Sequence, residues 1–402
     1  MSPELAVGMR AKSLVARYVA LDADTVLSPG CIQWDVSGRI VSLRRARKSE
    51  RPADVAVLPG LVNAHAHLQL EPLAKPVRAF LPWVSAVMAS RGECSAADHR
   101  RIALQSLREL LRSGTTAVGE IDSTGDTIGA LRRLPMAGRC YRELTGFHLQ
   151  QREARALVRD RFPSDAGSML PGLSPHAPYS VSPDLMRAAA GRTRNLAIHC
   201  AELPEEQQFL RTGRGVFADL LRKLGRLPDG FRAPGCGAVR WLQQLGVLRP
   251  STQLVHCQEL ERGDVARIAA AGASIAVCPG TIDYFGRTPP PVSNWLKLGI
   301  PVALGTDSRA SNRGLSMRSE LARAAAFWPG LTPRELLRMA TSNGGRALNG
   351  PFGGLRRGRR ADFLTVAAVG SWPDTLSAFV HNILPVSRVV LAGTTHRIHA
   401  EC

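Results

Sequence analysis

The architecture of this 402-residue chain is predicted from one segment, Pro59-Gly-Leu-Val-Asn-Ala-His65-Ala-His67. It is an apolar run that ends in two histidines separated by a single residue. Side chains at positions i and i+2 of a β-strand point to the same face, so His65 and His67 can offer two imidazoles to one metal ion. An H-x-H pair alone is common, so a metal site requires further ligands at the ends of other strands.

Similar apolar runs recur between about residue 59 and residue 350, and they alternate with amphipathic helices rich in Arg, Leu and Ala. This alternation is typical of parallel βα units. The predicted strands are 60–65, 115–120, 138–144, 169–175, 196–199, 253–257, 273–278 and 302–307. Eight units over about 290 residues match the size of an α/β fold of the (β/α)₈ TIM-barrel type with insertions.

The two ends of the chain have a different sequence pattern, in which short β-like runs are separated by Gly, Pro and Asp. Each end is too small to bury a core by itself. We therefore expect them to pair into one small β-sandwich domain beside the barrel. The predicted domains are 1–58 for the first part of the sandwich, 59–352 for the barrel and 353–402 for the second part.

The chain is strongly basic, with 52 Lys and Arg against 33 Asp and Glu and a net charge of +19. A basic surface can indicate nucleic acid, acidic lipid or an anionic substrate. Here the basic residues are scattered, and RNP-like aromatic motifs and finger-type Cys/His spacing are absent from the sequence. A solvated Arg-rich surface is the favoured interpretation, with no nucleic acid and no membrane as partner.

The cysteines and the hydropathy predict a cytoplasmic location. Eight Cys are present, none in a C-x-x-C pair, and several lie in apolar strand-like runs. This usage is typical of reduced core thiols rather than of a disulfide framework or a zinc finger. Apolar stretches end well before the length of about 18 residues that a membrane span needs, and the first residues lack the order of a signal peptide.

Polar side chains also follow four other predicted strands. They are His176, His199 with Glu202, His256, and Asp307. Active sites of barrels are built at the carboxyl ends of the strands. His199 suits a third metal ligand, and Asp307 could both bind a metal and accept a proton from bound water. Glu202 could move protons between that water and a substrate.

Each residue also has a structural interpretation, because a single His at a strand end is often hydrogen-bonded and an Asp after Gly-Thr often caps a helix. Five such positions at the same end of successive strands disfavour this interpretation. Three imidazoles and one carboxylate suit a single Zn²⁺ with an open position for water, and Fe²⁺ is the alternative. Cys200 and Cys257 lie beside two of the histidines, which leaves a soft-metal role open for them.

The ordered set of motifs resembles the amidohydrolase superfamily, in the branch of S-adenosylhomocysteine and methylthioadenosine deaminases, guanine deaminase and triazine chlorohydrolases. The matching segments are PGLVNAHAH (59–67), SPHAPY (174–179), HCAE (199–202), VHC (255–257) and ALGTDSRASN (303–312). Binuclear members carry a carboxylated Lys at the end of the fourth strand. No Lys lies near 170–178, so the resemblance implies one metal ion.

Residue by residue, the resemblance implies metal ligands at His65, His67, His199 and Asp307. Glu202, His256 and Asp307 are then the catalytic residues: His256 orients the attacking water, and Glu202 carries its proton to the ring nitrogen. Attack at the amino-bearing carbon releases ammonia. His176 and Ser311 are expected to contact the substrate.

A narrower similarity lies in His67-Leu-Gln-Leu-Glu71 and in the segment from Arg78 to Arg91, which contains Trp83. Both resemble the aminodeoxyfutalosine deaminases of the alternative menaquinone pathway. Their substrate joins adenine, ribose and a benzoate. The similarity implies that Glu71 accepts the ribose hydroxyls, that Trp83 stacks on the substrate, and that Arg142 or Arg91 pairs with the carboxylate. Packing within a helix is the other interpretation of Trp83.

Arg309 departs from the family pattern, since relatives usually have a small residue there. It could narrow the pocket, recognise an anion or reach solvent. The leading hypothesis is a metal-dependent hydrolytic deaminase of an aminopurine nucleoside-like small molecule, with aminodeoxyfutalosine as the candidate. The alternatives are S-adenosylhomocysteine, methylthioadenosine or guanine deamination, or hydrolysis of a triazine or pyrimidine. A non-catalytic barrel is disfavoured by the complete ligand set, and a homodimer is left open.

Overall fold

The computed structural model describes residues 11–398 and begins with strands of a terminal sheet. These strands are β1 (Lys12–Ala20), β2 (Val26–Leu27), β3 (Gly30–Trp34), β4 (Ile40–Arg45) and β5 (Ala53–Pro59). The run between β5 and the next strand is a single residue, Gly60. A Cβ atom at Gly60 would lie 2.0 Å from Thr116 Oγ1, so the chain can pass from the sheet into the barrel here only as glycine.

Eight parallel strands then form the barrel. They are β6 (Leu61–Ala66), β7 (Thr115–Asp122), β8 (Ala137–Leu144), β9 (Leu170–Pro175), β10 (Leu196–Cys200), β11 (Thr252–His256), β12 (Ser274–Val277) and β13 (Val302–Leu304). Their spatial order follows the chain. The ring closes just beyond β13, where the amides of Thr306 and Asp307 donate to the carbonyl of His65 at 3.0 and 3.1 Å. The predicted barrel is confirmed.

Helices surround the barrel. They are α1 (Phe80–Gly92), α2 (Ala96–Arg112), α3 (Thr127–Leu131), α4 (Gln151–Arg161), α5 (Pro183–Arg192), α6 (Pro204–Thr212), α7 (Val216–Lys223), α8 (Ala238–Gln244), α9 (Asp264–Ala271), α10 (Pro279–Phe285), α11 (Val292–Lys297), α12 (Met317–Phe327), α13 (Pro333–Met339), α14 (Ser342–Ala347) and α15 (Trp372–Val380). Inside the barrel, small side chains such as Ala64, Ala276 and Ala303 pack against one another and against Ala347 of α14. The strands therefore approach closely, and a packed interior supports the side chains at their carboxyl ends.

The terminal sheet is completed by strands from the other end of the described chain. They are β14 (Phe363–Ala367), β15 (Arg388–Leu391) and β16 (Thr394–Arg397). β5 pairs in parallel with β1 and antiparallel with β14, so it joins the two ends of the chain. The sheet curls over its own core, with the rings of Trp34 and Phe363 edge to face at 5.2 Å.

The prediction of a β domain built from both chain ends is thus confirmed. The strands of this domain belong to one continuous mixed sheet that folds over its own core. The bounds 1–58, 59–352 and 353–402 stay a prediction, and 1–10 and 399–402 lie outside the described residues. Between residues 11 and 398, the seven cysteines are free thiols, and all but Cys94 are buried. Over the same span, no helix is both long and apolar enough to cross a membrane.

Candidate active site

The predicted metal ligands come together at the carboxyl end of the barrel. One ring nitrogen from each of His65, His67 and His199 lies within 4.8 Å of the others. Asp307 Oδ1 is 3.6 Å from His65 Nε2 and 3.7 Å from His67 Nε2. Three imidazoles and one carboxylate oxygen therefore face a common point, as a mononuclear site requires.

The donor atoms of this cluster fit a cation. His65 is fully buried, and neither of its ring nitrogens has a hydrogen-bond partner among the described residues. His199 Nδ1 donates to the carbonyl of His176 at 3.0 Å, which leaves its Nε2 lone pair for the cluster. Burial lowers the pKa of His67 to about 3 and holds the pKa of His199 well below its usual value. Neutral imidazoles of this kind are ready to bind a metal ion.

Asp307 is oriented by two hydroxyl groups. Ser311 Oγ donates to its Oδ2 at 2.8 Å, and Thr281 Oγ1 donates to the same oxygen at 3.1 Å. Burial alone would raise the pKa of Asp307, but the imidazoles beside it, first of all His65, hold that pKa well below its ordinary value. Asp307 is therefore an ionised carboxylate whose free oxygen faces the histidines.

Glu202 and His256 lie beside the cluster. His256 Nε2 is 3.8 Å from Glu202 Oε2, and both side chains are buried. The amide of Glu202 donates to Glu206 Oε2 at 2.9 Å, so the backbone of the catalytic candidate is fixed from behind. Burial lowers the pKa of His256 and raises the pKa of Glu206 to about 8. A neutral imidazole and a carboxyl group are thus side by side, as proton transfer requires.

The backbone is strained where the strands end. Among the described residues, the non-glycine residues with positive φ at the ends of the barrel strands are Ala201 at 50°, His256 at 73°, Cys257 at 53° and Asp307 at 57°. Such conformations cost about 1 to 3 kcal/mol each and persist where the surroundings hold them. Here they turn His256 and Asp307 inward, which a continuing strand would not do.

A cavity of about 410 Å³ opens above these residues. We call its inner end the floor, which consists of the lining residues His67, His199, His256 and Asp307 together with the buried His65, whose ring packs against those of the other three histidines. We call its outer surface the rim, which consists of the cavity-facing residues of α1 and α7 together with Arg161 and Arg226. The α1 residues that face the cavity are Phe80, Leu81, Trp83, Val84, Val87, Met88 and Arg91, and those of α7 are Phe217, Leu220 and Leu221. The space is therefore polar at one end and apolar at the other, with three Arg side chains on its outer surface.

Two residues predicted to contact the substrate line the cavity. His176 faces it next to His199, and its Nδ1 is 2.7 Å from Ser180 Oγ. Trp83 lines the rim, and its indole N–H donates to the carbonyl of Ala310 at 2.8 Å. That bond ties α1 to the loop that carries the metal-facing carboxylate.

Other predicted contacts are not brought to the cavity. Glu71 faces Arg101 at 3.4 Å near the surface. Arg309 pairs with Glu109 at 2.8 Å and points away from the cavity. Both side chains are engaged with partners on α2.

Arg142 and Ser311 serve the structure around the site. Arg142 donates to the carbonyl of Thr124 at 2.7 Å and lies 3.4 Å from Asp122, below the cavity. Ser311 reaches Asp307 instead of the open space. Arg91, the other arginine considered for a substrate carboxylate, does line the rim.

Sequence reasoning missed the arginines that complete the site. Arg287 lies 3.0 Å from Glu202, and Arg161 and Arg226 reach the rim. All three come from loops or helix ends that match no motif. Their only signal in the sequence was the general excess of Arg, which does not tell one position from another.

Comparisons with known proteins agree with this geometry. A sequence model of the amidohydrolase family matches residues 56–395. The chain belongs to the amidohydrolase family. Family membership makes this protein a metal-dependent enzyme that hydrolyses carbon–nitrogen bonds. The cluster of His65, His67 and His199 could hold the divalent metal ion.

Two characterised relatives narrow the comparison. This amidohydrolase is 33% identical over 341 residues to an aminodeoxyfutalosine deaminase of Deinococcus radiodurans, which covers 77% of each chain. It is 28% identical over 335 residues to a 5-methylthioadenosine/S-adenosylhomocysteine deaminase of Moorella thermoacetica, covering 78% of this chain and 73% of that one.

Solved structures show the same fold. The aminofutalosine deaminase of Helicobacter pylori superposes with a TM-score of 0.81 at 20% identity, over 96% of this amidohydrolase and 100% of that chain. A zinc-bound adenosine deaminase of Xanthomonas campestris gives a TM-score of 0.78 at 21% identity, over 96% and 92%. At these identities the likeness concerns the fold alone.

Proposed function

We propose that this amidohydrolase is a hydrolytic deaminase of an adenosine-like nucleoside. One observation carries the proposal: Glu202 and His256 stand beside a cluster of three imidazoles and a carboxylate at the polar end of one cavity. The names of the relatives support the same substrate class.

The proposed metal ligands are His65, His67, His199 and Asp307. Zn²⁺ suits this set of nitrogen and oxygen donors, and Fe²⁺ is the alternative. A divalent ion held there supplies a Lewis acid that lowers the pKa of a water molecule towards about 7. The neutral histidines and ionised Asp307 are in the protonation states that binding needs.

The side chains of Glu202 and His256 then handle the proton. Glu202 takes a proton from the water with Oε2, the oxygen that faces His256. The water oxygen adds to the amino-bearing ring carbon, and Glu202 delivers the proton to the adjacent ring nitrogen. His256 donates a hydrogen bond that holds the water oxygen in line. The proton of the added hydroxyl then passes to the amino group, the carbon–nitrogen bond breaks, and ammonia leaves as the ring carbon becomes a carbonyl.

The rim supports a nucleoside with a large substituent. His176 lies next to the floor, where the base would be, and the apolar side chains of α1 give a surface for the rest of the molecule. Arg91, with Arg161 and Arg226, offers guanidinium groups for a carboxylate. Aminodeoxyfutalosine, which carries a benzoate, is therefore the candidate substrate. Its turnover would place the enzyme in menaquinone biosynthesis.

Ammonia release tests this proposal. The protein, loaded with Zn²⁺ or with Fe²⁺, is assayed with aminodeoxyfutalosine, S-adenosylhomocysteine, methylthioadenosine, adenosine and guanine. Glu202→Gln is expected to lower kcat by about 10² to 10⁴-fold, because the proton carrier is lost, with the metal content unchanged. Full activity of this variant would contradict the role of Glu202. Metal-loaded protein that releases ammonia from none of the five would contradict the substrate class.

A further inference from the structure

The Glu202 carboxylate has two different surroundings. On one side, Arg287 Nη1 lies 3.0 Å from Oε1, and the side chains are 15% and 7% exposed. On the other side, Oε2 faces His256 Nε2 at 3.8 Å. One oxygen is therefore bound to a permanent cation, and the other is turned to the place of reaction.

Arg287 is itself held in place. Its guanidinium lies over the ring of Phe285 at 4.6 Å and near the ring of Phe80 at 5.8 Å. Its backbone amide donates to the carbonyl of Ile282 at 2.9 Å, just after α10. A planar cation that stacks on aromatic rings loses little freedom when it binds a carboxylate.

Arg287 stands behind Glu202 as seen from the cavity. Glu202, His256 and Phe80 are among the described residues that line the cavity, and Arg287 is not. It therefore touches the carboxylate without reaching the space that a substrate would fill. Its closest contact with the two proposed proton-handling groups, Glu202 and His256, is the ion pair with Glu202.

We propose that Arg287 is a positioning residue of the deamination. This inference rests on the proposed function. Arg287 anchors Oε1, so that Oε2 alone faces the water and the ring nitrogen and carries the proton between them. A charge-assisted hydrogen bond in a buried site is strong enough to fix the carboxylate plane. Without it, the carboxylate can turn away, and a displacement of about 1 Å can cost 10²-fold in rate.

The test compares Arg287→Met with Arg287→Lys in the metal-loaded full-length enzyme. The Met variant is expected to lose about 10²-fold in kcat, with KM within about threefold of wild type. The Lys variant, which restores a cation, is expected to regain about tenfold of that loss. Metal content and melting temperature are measured on the same samples. A loss confined to KM would overturn the inference.

A double variant separates positioning from a purely structural role. In the Glu202→Gln background, Arg287→Met is expected to cause no further loss of kcat, because the group it orients is already inactive. Losses that multiply would show that Arg287 does not act through Glu202, and would overturn the inference.

Arg360→Met is the matched control. Arg360 pairs with Asp362 at 2.7 Å in the terminal sheet, so its loss removes an ion pair of similar type away from the cavity. Its kcat is expected to stay at the wild-type value. If Arg360→Met lowers kcat as much as Arg287→Met, the effect is a general one of ion-pair loss and the inference fails.

The remaining outcomes are also decisive. An active wild type with an unchanged Arg287→Met would overturn the positioning role and leave the deaminase in place. If the wild-type enzyme releases ammonia from none of the five compounds, the proposed function is overturned, and this inference with it. If Arg287→Met does not fold, Arg287→Lys decides alone, with an expected loss of about tenfold in kcat and an unchanged kcat as the contrary result.

Discussion

The floor and the rim of the cavity differ in how they are built. Floor residues lie at strand ends, and His65, His199, His256 and Asp307 are at most 5% exposed. The six inner strands of the barrel are each hydrogen-bonded to two neighbours, and β6 is joined to the segment just after β13 through His65, Thr306 and Asp307, so these side chains share one frame. The rim comes largely from α1, none of whose residues is buried, and from α7.

This difference suggests a division of labour between the two surfaces. The floor consists of the proposed metal ligands and His256, and polar contacts from behind fix them, such as the hydrogen bond from Ser311 to Asp307. The rim presents exposed helix side chains that can change without disturbing the strands. We therefore expect changes in the floor to alter the rate and changes in the rim to alter the choice of substrate.

The largest effect is expected for the floor. His65→Asn removes a proposed ligand, and the metal content should fall to near zero. Loss of several kcal/mol of Lewis-acid stabilisation lowers the rate by about 10³-fold or more. Metal analysis and ammonia release measure both quantities.

The control for that experiment is His99→Asn. His99 is a buried histidine of α2 that faces Asp126 at 3.4 Å, outside the cluster. It should retain the metal and the activity. A His65→Asn protein with a full complement of metal would show that the floor does not hold the ion.

A medium effect is expected for Glu206, whose carboxyl group accepts a hydrogen bond from the amide of Glu202 beside the floor. Burial raises its pKa to about 8, so the folded state keeps a proton that the unfolded state loses above about 4.5. The stability that this proton supplies is complete below pH 4.5 and is lost as the pH rises towards 8. Glu206→Gln mimics the protonated form. It should therefore be more stable than wild type at pH 8 by on the order of 4 kcal/mol, with no gain near pH 4.5.

Chemical denaturation at a series of pH values measures this difference. The matched variant is Glu335→Gln, at a helix start, where the hydrogen bonds of Thr332 lower the pKa of the carboxyl group. Because the ionised form of Glu335 stabilises the folded protein at pH 8, Glu335→Gln should be less stable than wild type at that pH, whereas Glu206→Gln should be more stable. Equal curves for wild type and Glu206→Gln would show that Glu206 is ionised in the folded protein.

The smallest effect is expected at the rim. Arg91→Gln should raise KM for aminodeoxyfutalosine by about tenfold, the value of one charged hydrogen bond of about 1.4 kcal/mol. For adenosine, which carries no carboxylate, KM should stay the same, and kcat should change little for either compound.

Arg309→Gln is the control for Arg91, since Arg309 is paired with Glu109 outside the cavity. Its KM for both compounds should equal that of wild type. If Arg91→Gln lowers kcat and leaves KM unchanged, the distinction between floor and rim breaks down.

The sequence determined the barrel, the β domain from both chain ends and the set of residues at the floor. The reason is local: a strand that ends in His or Asp places that side chain at the carboxyl edge, and the βα order brings all such edges to one face. The floor residues lie in four of the quoted motifs (59–67, 199–202, 255–257 and 303–312), and the barrel fold alone is enough to bring these motifs together. The terminal sheet is predicted from size rather than from local motifs, because neither end of the chain is long enough to bury a core alone.

Only the tertiary structure decided where the arginines and other rim candidates go. Arg142 lies outside the quoted motifs and Arg309 within one of them, yet each pairs with an acidic partner away from the cavity. Arg287, which matches no motif, forms an ion pair with the carboxylate of Glu202 although the two residues are 85 positions apart in the chain. A long flexible side chain has many rotamers, and contacts far apart in sequence select among them. Periodicity and spacing carry no information on that selection.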